Sequence, residues 1–273
     1  PLVQPDPLLR EGVPEIVQRF GVLRLQLDDP SHGVHAEIEV PFLVVENSQR
    51  EIVHGRFDAA VEDEGVSYSG RFHTAPSPGA VLRFTRTDYH DDELEYVFDL
   101  ADALRTEYET IVEAGALLQI DAPDLLAGFT LTNKGASVSE FRDIVENYVE
   151  ALNRALADVP ADRVRLHACW GNYPGPHHRD IELVDVLDCF YEADVGGLVV
   201  EGANPRHQHE HTAFREHPLP DGWTLVPGVI DVKTNVVEHP EVVAERLARF
   251  ADAIGDPDRL VAGADCGFET VVD

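Results

Sequence analysis

One histidine and two cysteines stand at positions from which they could bind a single metal ion. His167 and Cys169 lie two positions apart in the stretch 165–172, and Cys266 ends a second apolar stretch. Side chains at positions i and i+2 of a strand point to the same side, so an imidazole nitrogen and a thiol can reach one ion together. Imidazole with thiolate is a ligand set typical of zinc. A site with few protein ligands at strand ends keeps a coordination position open, which indicates catalysis.

Glu201 is the predicted fourth ligand of this site. It closes the apolar run 196–200, and its carboxylate would otherwise be unpaired at the end of a strand. A substrate thiol could displace it. The alternative is a buried core histidine with two buried thiols, since free cysteines are often simply buried. The third cysteine, Cys189, falls in a predicted helix and is expected in the core.

Apolar runs alternate with amphipathic helical patterns from about residue 93 onward. Strands alternating with helices predict parallel βα units. Polar residues at the carboxyl ends of such strands are typical of the active-site face of a TIM (β/α)8 barrel. The alternative, a doubly wound sheet, would gather its chemistry at a switch point. The predicted strands cover residues 116–121, 163–169, 197–201, 225–231 and 259–266, and the predicted helices cover 93–114, 137–159, 180–191 and 240–254.

The first 90 residues have a different pattern. Residues 22–27 and 35–40 alternate like half-exposed strands, 66–72 is a candidate barrel strand, and 74–79 is a predicted loop. About six barrel strands can be counted. We therefore expect an α/β chain with one barrel domain over 1–273, truncated at both ends, in which 1–65 is a β-rich extension and 66–273 forms the βα units. The start at Pro1 and the lack of methionine favour a trimmed chain.

The composition is strongly acidic. The net charge is −30, from 51 acidic and 21 basic residues, and Lys134 and Lys233 are the only lysines. Such a chain is not expected to bind nucleic acid or an anionic membrane. It fits a high-salt cytoplasm, although genome base composition is an alternative explanation. Three cysteines without a short-range framework favour a reducing, cytoplasmic compartment. No apolar run approaches the roughly 20 residues of a membrane span, and no signal peptide opens the chain.

Four strings carry a resemblance to a known family. They are H-A-C-W-G-N at 167–172, E-G-A-N-P-R-H at 201–207, P-G-V-I-D at 227–231 and A-G-A-D-C-G-F at 262–268. This pattern resembles the catalytic domain of cobalamin-independent methionine synthase, and more closely its short, single-barrel relatives, a group that includes epoxyalkane:coenzyme M transferases. The likeness runs from about residue 70 and is specific over 94–269.

The resemblance implies a Zn2+ ion held by His167, Cys169, Cys266 and Glu201. It also implies that Gln119 and Asp121 belong to the family's Q-I-D-E-P segment, in which the aspartate binds the substrate's amino group. Asp121 could instead cap the following helix or loop.

Two departures from the family pattern bear on function. The family's D-I-H-S segment, with its proposed proton-donating histidine, is replaced by residues 231–234, so that Lys233 follows Asp231 where a histidine is expected. We treat Lys233 and Asp231 as candidate catalytic residues. The family's G-S-x-P-R-P-like loop has no match in the chain.

Three further features lie near the predicted site. Arg206 could bind an anionic group of a substrate. Trp170 could stack on a flat ring or simply pack in the core. The H-x-H-x-H run at 207–211 is more simply explained as a solvated polar loop than as a second metal site.

The residues and the resemblance together predict a zinc-dependent thiol alkyltransferase. The main expectation is methyl transfer to homocysteine from a methylated folate or similar donor, through a zinc-bound thiolate. The first alternative is addition of a coenzyme M-like thiol to an epoxide. The alternative of another class is a non-catalytic zinc-binding barrel or an inactive fragment.

Overall fold

The computed structural model describes residues 21–29, 34–42, 70–85, 90, 92–173 and 175–268. The chain divides into two compact units, one of Pro1–Tyr68 with Thr87–Tyr89 and one of Ser69–Arg86 with His90–Asp273. In the first unit, β1 (Gly21–Asp29) pairs antiparallel with β2 (Val34–Phe42). Both strands contain the alternating stretches that predicted them.

A parallel sheet of six strands forms the second unit. The strands follow one another across the sheet in chain order, without a reversal. A doubly wound sheet would reverse its order at a switch point, so this order and the helical crossovers between strands are those of a (β/α)8 barrel. The prediction of the barrel is confirmed for the six strands described. They are β3 (Phe72–Pro76), β4 (Leu117–Asp121), β5 (Val164–Ala168), β6 (Gly197–Val200), β7 (Thr224–Ile230) and β8 (Gly263–Ala264).

Helices connect these strands. The longest, α2 and α4, bury one apolar face each, and Ser137 begins α4 with a capping box to Glu140. Gly115 takes a φ of 83° just beyond the end of α2, a conformation that glycine adopts without strain. The helices are α1 (Pro78–Phe84), α2 (Glu93–Glu113), α3 (Ala127–Leu131), α4 (Val138–Leu156), α5 (Leu187–Phe190), α6 (Ala213–Glu216) and α7 (Pro240–Ile254).

The predicted loop at 74–79 was wrong. Residues Phe72–Pro76 form β3, and α1 begins at Pro78, with the Ser77 side chain accepting the backbone N–H of Ala80. Proline is tolerated at both places: Pro76 lies in a strand with a single neighbour among the described residues, and Pro78 stands in the first helical turn. The predicted strand 66–72 lies mostly outside the described residues.

Two other elements are shorter than predicted. Residues 180–191 hold only a 3-10 turn at Leu183–Asp185 and the single-turn helix α5. The backbone N–H of Leu183 donates to the Glu210 carboxylate rather than to a helical carbonyl. Of the predicted strand 259–266, only Gly263–Ala264 forms a strand, which pairs with β7. Leu260 makes one further isolated bridge to Leu225.

The register of β4 and β5 arranges polar side chains in layers inside the barrel. Asp121 is level with His167, and Gln119 is level with Arg165 one layer deeper. Residues two apart on a strand share a face, so both pairs point to the same side of the sheet. The upper layer therefore belongs to the carboxyl ends of the strands. No helix in the described part of the chain is long and apolar enough to cross a membrane.

Candidate metal centre and active site

The three predicted sulfur and nitrogen ligands meet at the carboxyl ends of their strands. His167 is the second-last residue of β5, Cys169 follows the end of that strand, and Cys266 lies two residues beyond β8. The ligand atoms of these three residues all lie within 4.8 Å of one another. We call this group the thiol cluster.

Charge and burial shift the pKa values of the thiol cluster in opposite directions. The hydrogen bond with Cys169, followed by the one with His167, lowers the pKa of Cys266 to about 4. The same hydrogen bond and burial raise the pKa of Cys169. Burial lowers the pKa of His167, but the hydrogen bond with Cys266 and the charge of Asp121 raise it above its usual value. Cys266 is thus the thiol that ionises first.

The thiol cluster fits a zinc ion. Zinc ligands lie about 2.0–2.3 Å from the ion, so atoms within 4.8 Å of one another can share one with small adjustments. His167 Nδ1 and Asp121 Oδ1 are buried without a hydrogen-bond partner among the described residues. Unpaired buried polar atoms are costly in a finished core. Their presence beside two thiols is consistent with a centre completed by further ligands.

Asp121 borders the cluster at the end of β4. Its Oδ1 lies 3.9 Å from His167 Nε2, and its side chain is 44% exposed. Burial raises the pKa of Asp121, the charge of His167 lowers it, and that of Cys266 raises it further. The carboxylate is partly accessible and is not used to cap the turn at Pro123–Leu125, which has no side-chain cap.

Glu201 is fully buried and does not belong to the group of atoms within 4.8 Å. Its Oε1 accepts the backbone N–H of Trp170 at 3.1 Å, and its Oε2 accepts the Asn204 amide at 2.7 Å and the Lys233 ammonium. Burial raises the pKa of Glu201, which Lys233 partly offsets. The carboxylate lies beside the cluster in an ion pair, and its role as a fourth ligand remains a prediction.

Asp231 holds the turn that carries Lys233. Its Oδ1 accepts the backbone N–H of Lys233 at 2.9 Å, and its own N–H donates to Glu238. The Lys233 side chain is 7% exposed. Asp231 thus positions the lysine that pairs with Glu201, and the catalytic role of either residue remains a prediction.

Asp265 and Asn204 form a support that the sequence reading did not find. The fully buried Asp265 accepts three consecutive backbone N–H groups, those of Gly202, Ala203 and Asn204. The Asn204 amide bridges Asp265 and Glu201. A carboxylate immediately before Cys266 was the available signal, but its partners are more than sixty positions away.

Three other predicted binding residues have partners within the protein. Gln119 accepts a hydrogen bond from Arg165 at 2.7 Å. Arg206 donates to the backbone oxygen of His177 and to Glu182. Trp170 is fully buried, donates Nε1–H to Ile181, and stacks on His207 with ring centroids 3.7 Å apart. Each is near the site, and substrate contact by any of them remains a prediction.

The H-x-H-x-H run is not uniformly solvated, so the prediction of a polar loop was wrong for His207. His209 is exposed, but His207 is fully buried, because it stacks on Trp170 and hydrogen-bonds to Asp180 and Glu210. His177, Asp180 and His207 bring their ligand atoms within 4.8 Å of one another. We call these three residues the histidine cluster. Cys189, as expected, is buried in α5, away from both clusters.

The chain is similar to known proteins over most of its length. The family described as "Cobalamin-independent synthase, Catalytic domain" matches residues 74–272. A methionine synthase of Thermococcus kodakarensis is 29% identical over 196 residues, which cover 70% of this chain and 49% of that protein. One of Saccharolobus solfataricus is 27% identical over 210 residues, covering 76% and 54%.

The fold has a counterpart among solved structures. A B12-independent methionine synthase from Shewanella sp. W3-18-1, solved in complex with selenomethionine, superposes with a TM-score of 0.54 at 20% identity, covering 71% of this chain and 54% of that one. These comparisons do not support the epoxide and coenzyme M alternative. The chain spans about half the length of the curated relatives it matches. From its fold, its strand-end thiol cluster and the match over residues 74–272, the chain belongs to the family of cobalamin-independent synthase catalytic domains.

Proposed function

We propose that this protein methylates a homocysteine-like thiol, with Zn2+ bound at the thiol cluster. The observation that carries the proposal is the convergence of His167, Cys169 and Cys266 at the carboxyl ends of parallel strands, next to an accessible carboxylate. The family and the curated methionine synthases support the same reaction class.

Bound zinc would activate the substrate thiol, because a coordinated thiol is deprotonated at neutral pH and becomes a nucleophile. His167, Cys169 and Cys266 would hold the ion. Glu201, which is adjacent and fully buried, is the proposed exchangeable ligand. The low pKa of Cys266 supports its assignment as a zinc ligand, since little free energy is needed to form the thiolate.

Asp121 is proposed to bind the ammonium group of the amino-acid substrate. Its Oδ1 is buried and without a partner among the described residues, while the side chain as a whole is partly exposed. A charged donor would satisfy this oxygen with a strong hydrogen bond. Gln119 would hold Asp121 in position indirectly: it lies two residues earlier on β4 and bonds to Arg165 of the neighbouring strand.

Lys233 is proposed as the proton donor. A methyl group leaves the tertiary amine of a methylated folate readily only if that nitrogen gains a proton, and the Lys233 ammonium lies at the edge of the site. Glu201 holds the ammonium in place, and Asp231 holds the turn beneath it. Arg206 and Trp170 are proposed to shape the substrate pocket through the loops that they hold together.

The test is methionine formation from homocysteine and a methylated folate. Cys266→Ser should lose the zinc of the thiol cluster and lower the rate at least about 100-fold, since replacing even an outer partner of a metal ligand costs 10–100-fold. Cys189→Ser is the matched control and should change neither quantity. A Cys266→Ser variant with full zinc and full rate would refute the proposal.

A further inference from the structure

The histidine cluster lies outside the proposed reaction and has an unusual arrangement of hydrogen-bonding atoms. His177 Nδ1 and His207 Nε2 both face one oxygen, Asp180 Oδ2, at 2.6 and 3.2 Å. All three side chains are at most 6% exposed. The other oxygen of Asp180 accepts the Thr130 hydroxyl at 3.1 Å. Two imidazoles therefore converge on a single carboxylate oxygen in a buried site.

The partners of the ring nitrogens limit where the protons can be. His177 Nε2 faces the backbone oxygen of Tyr173 at 3.0 Å, and a carbonyl only accepts hydrogen bonds, so Nε2 carries a hydrogen. His207 Nδ1 faces the Glu210 carboxylate at 3.3 Å, whose other oxygen accepts the Leu183 N–H. A neutral His177 then presents the lone pair of its inner nitrogen to Asp180, and a neutral His207 presents a lone pair to either Asp180 or Glu210. Further protons within the cluster, or a cation between the three ligand atoms, would remove this conflict.

The same arrangement is typical of metal ligands. Histidines that bind a metal usually donate their other N–H to a carboxylate or a backbone carbonyl, as Glu210 and Tyr173 accept here. Ligand atoms about 2.0–2.2 Å from an ion lie roughly 3 Å apart, and the two separations from Asp180 Oδ2, 2.6 and 3.2 Å, are already near this value. His177 also has a φ of 50°, which is strained for a residue other than glycine and is found where surrounding contacts hold a site in place.

We propose that His177, Asp180 and His207 form a second metal site, which binds a divalent first-row transition ion such as Zn2+. Two imidazoles and one carboxylate are a donor set for such ions, unlike the oxygen-only sets of Mg2+ and Ca2+. The ion would join residues 177–180 to the segment 204–210. His207 stacks on Trp170, whose backbone N–H donates to Glu201. The second site would therefore fix Trp170 and Glu201, which lie beside the thiol cluster.

The proposal is tested by counting zinc in the full chain after saturation and dialysis. Wild type should hold two equivalents, Asp180→Asn one, and the double variant Cys169→Ser/Cys266→Ser one. His209→Asn changes an exposed histidine of the same loop and should keep two. A wild type that saturates at one equivalent, or an Asp180→Asn variant that keeps two, would overturn the second site in favour of doubly protonated histidines. Loss of an ion in His209→Asn would place it elsewhere in the loop.

A zinc-edge absorption spectrum of the wild type gives an answer even if Asp180→Asn fails to fold. The chain has two cysteines at the thiol cluster, so a single zinc there has about two sulfur neighbours. Filling both sites lowers the mean to about one sulfur per zinc. A mean of two at saturation contradicts the proposal. The Cys variants keep this outcome separate from the proposed methyl transfer, because they remove the thiol cluster alone.

Discussion

The thiol cluster and the histidine cluster share a wall of the barrel but differ in how completely their atoms are paired. At the thiol cluster, His167 Nδ1 and Asp121 Oδ1 have no partner among the described residues. In the histidine cluster, both ring nitrogens of His177 and His207 and both oxygens of Asp180 lie within hydrogen-bond distance of another polar atom. The first offers unpaired atoms to a ligand, whereas the polar atoms of the second already face one another. Incomplete pairing thus distinguishes the site proposed to react from the site proposed to hold loops in place.

The largest effect is expected at the ion pair beside the thiol cluster. Lys233→Met removes the lysine that forms an ion pair with the buried Glu201 carboxylate, and such a loss costs about 3–5 kcal/mol of unfolding free energy. Urea unfolding of the chelator-treated protein measures it. Adding Glu201→Gln to this variant should recover most of the loss, and Lys134→Met, at an exposed position, should cost under about 0.5 kcal/mol. A loss below about 1 kcal/mol in Lys233→Met would show that Glu201 is not a buried anion.

Asp124 extends the comparison to a carboxyl with one unpaired oxygen. One oxygen of Asp124 accepts the Ser77 hydroxyl, and its Oδ2 has no partner among the described residues. Burial raises the pKa of Asp124 to about 6. Asp180 has the opposite shift: burial raises its pKa, but the contacts with His177 and His207 lower it by more, so that the pKa lies below its usual value.

A raised pKa means that folded Asp124 binds a proton more tightly than the unfolded chain does. Stability from this group is therefore present below about pH 4 and is lost as pH rises to about 6 and above, by about 3 kcal/mol at most. Asp124→Asn should remove this slope and stabilise the protein at pH 7. Urea unfolding at pH 4, 5, 6 and 7 compares variant with wild type; parallel curves across this range would contradict the assignment.

Asp121 tests whether the unpaired atoms of the thiol cluster serve a substrate. Asp121→Asn should weaken homocysteine binding by about 1.5–3 kcal/mol, which is roughly tenfold to a hundredfold, because a charge-assisted hydrogen bond is lost. The thiol 2-mercaptoethanesulfonate has no amine and should bind the variant no worse. Asp221→Asn, at an exposed turn, is the control. Equal loss for both thiols would make Asp121 structural.

Trp170 carries the smallest predicted effect. Trp170→Phe keeps the backbone N–H that Glu201 accepts but loses the indole hydrogen bond to Ile181, worth about 0.5–1.5 kcal/mol. Thermal unfolding measures the loss. Zinc at the thiol cluster should be unchanged, since no ligand is altered. A fall in that zinc content would show that the two clusters depend on each other more strongly than their contacts indicate.

The strand ends and the thiol cluster could be predicted because they depend on local patterns. An apolar run predicts a strand, the spacing of His167 and Cys169 puts both side chains on one face, and parallel strands bring their carboxyl ends together. The order of the strands follows from the same βα alternation. These features need no knowledge of distant contacts.

The remaining features depend on contacts between residues far apart in sequence. Nothing near His207 indicates that Asp180 and Trp170 would bury it, since alternation with exposed residues is the pattern of a solvated loop. The pairing of Lys233 with Glu201 depends on the turn at Asp231, and the helix at 180–191 is cut short by the Glu210 carboxylate. Side-chain hydrogen bonds of this kind override local propensity.

The bonds that Asp265 makes have a consequence for the order in which the chain assembles. His167 and Cys169 are synthesised well before Cys266, and β6 and β7 lie between them. The Asp265 carboxylate docks on residues 202–204, over a separation of about sixty residues, so closing this loop is a slow, late step of folding. A growing polypeptide on the ribosome therefore carries at most two of the three ligands, and capture of an ion by the thiol cluster waits until the last strand described is in place.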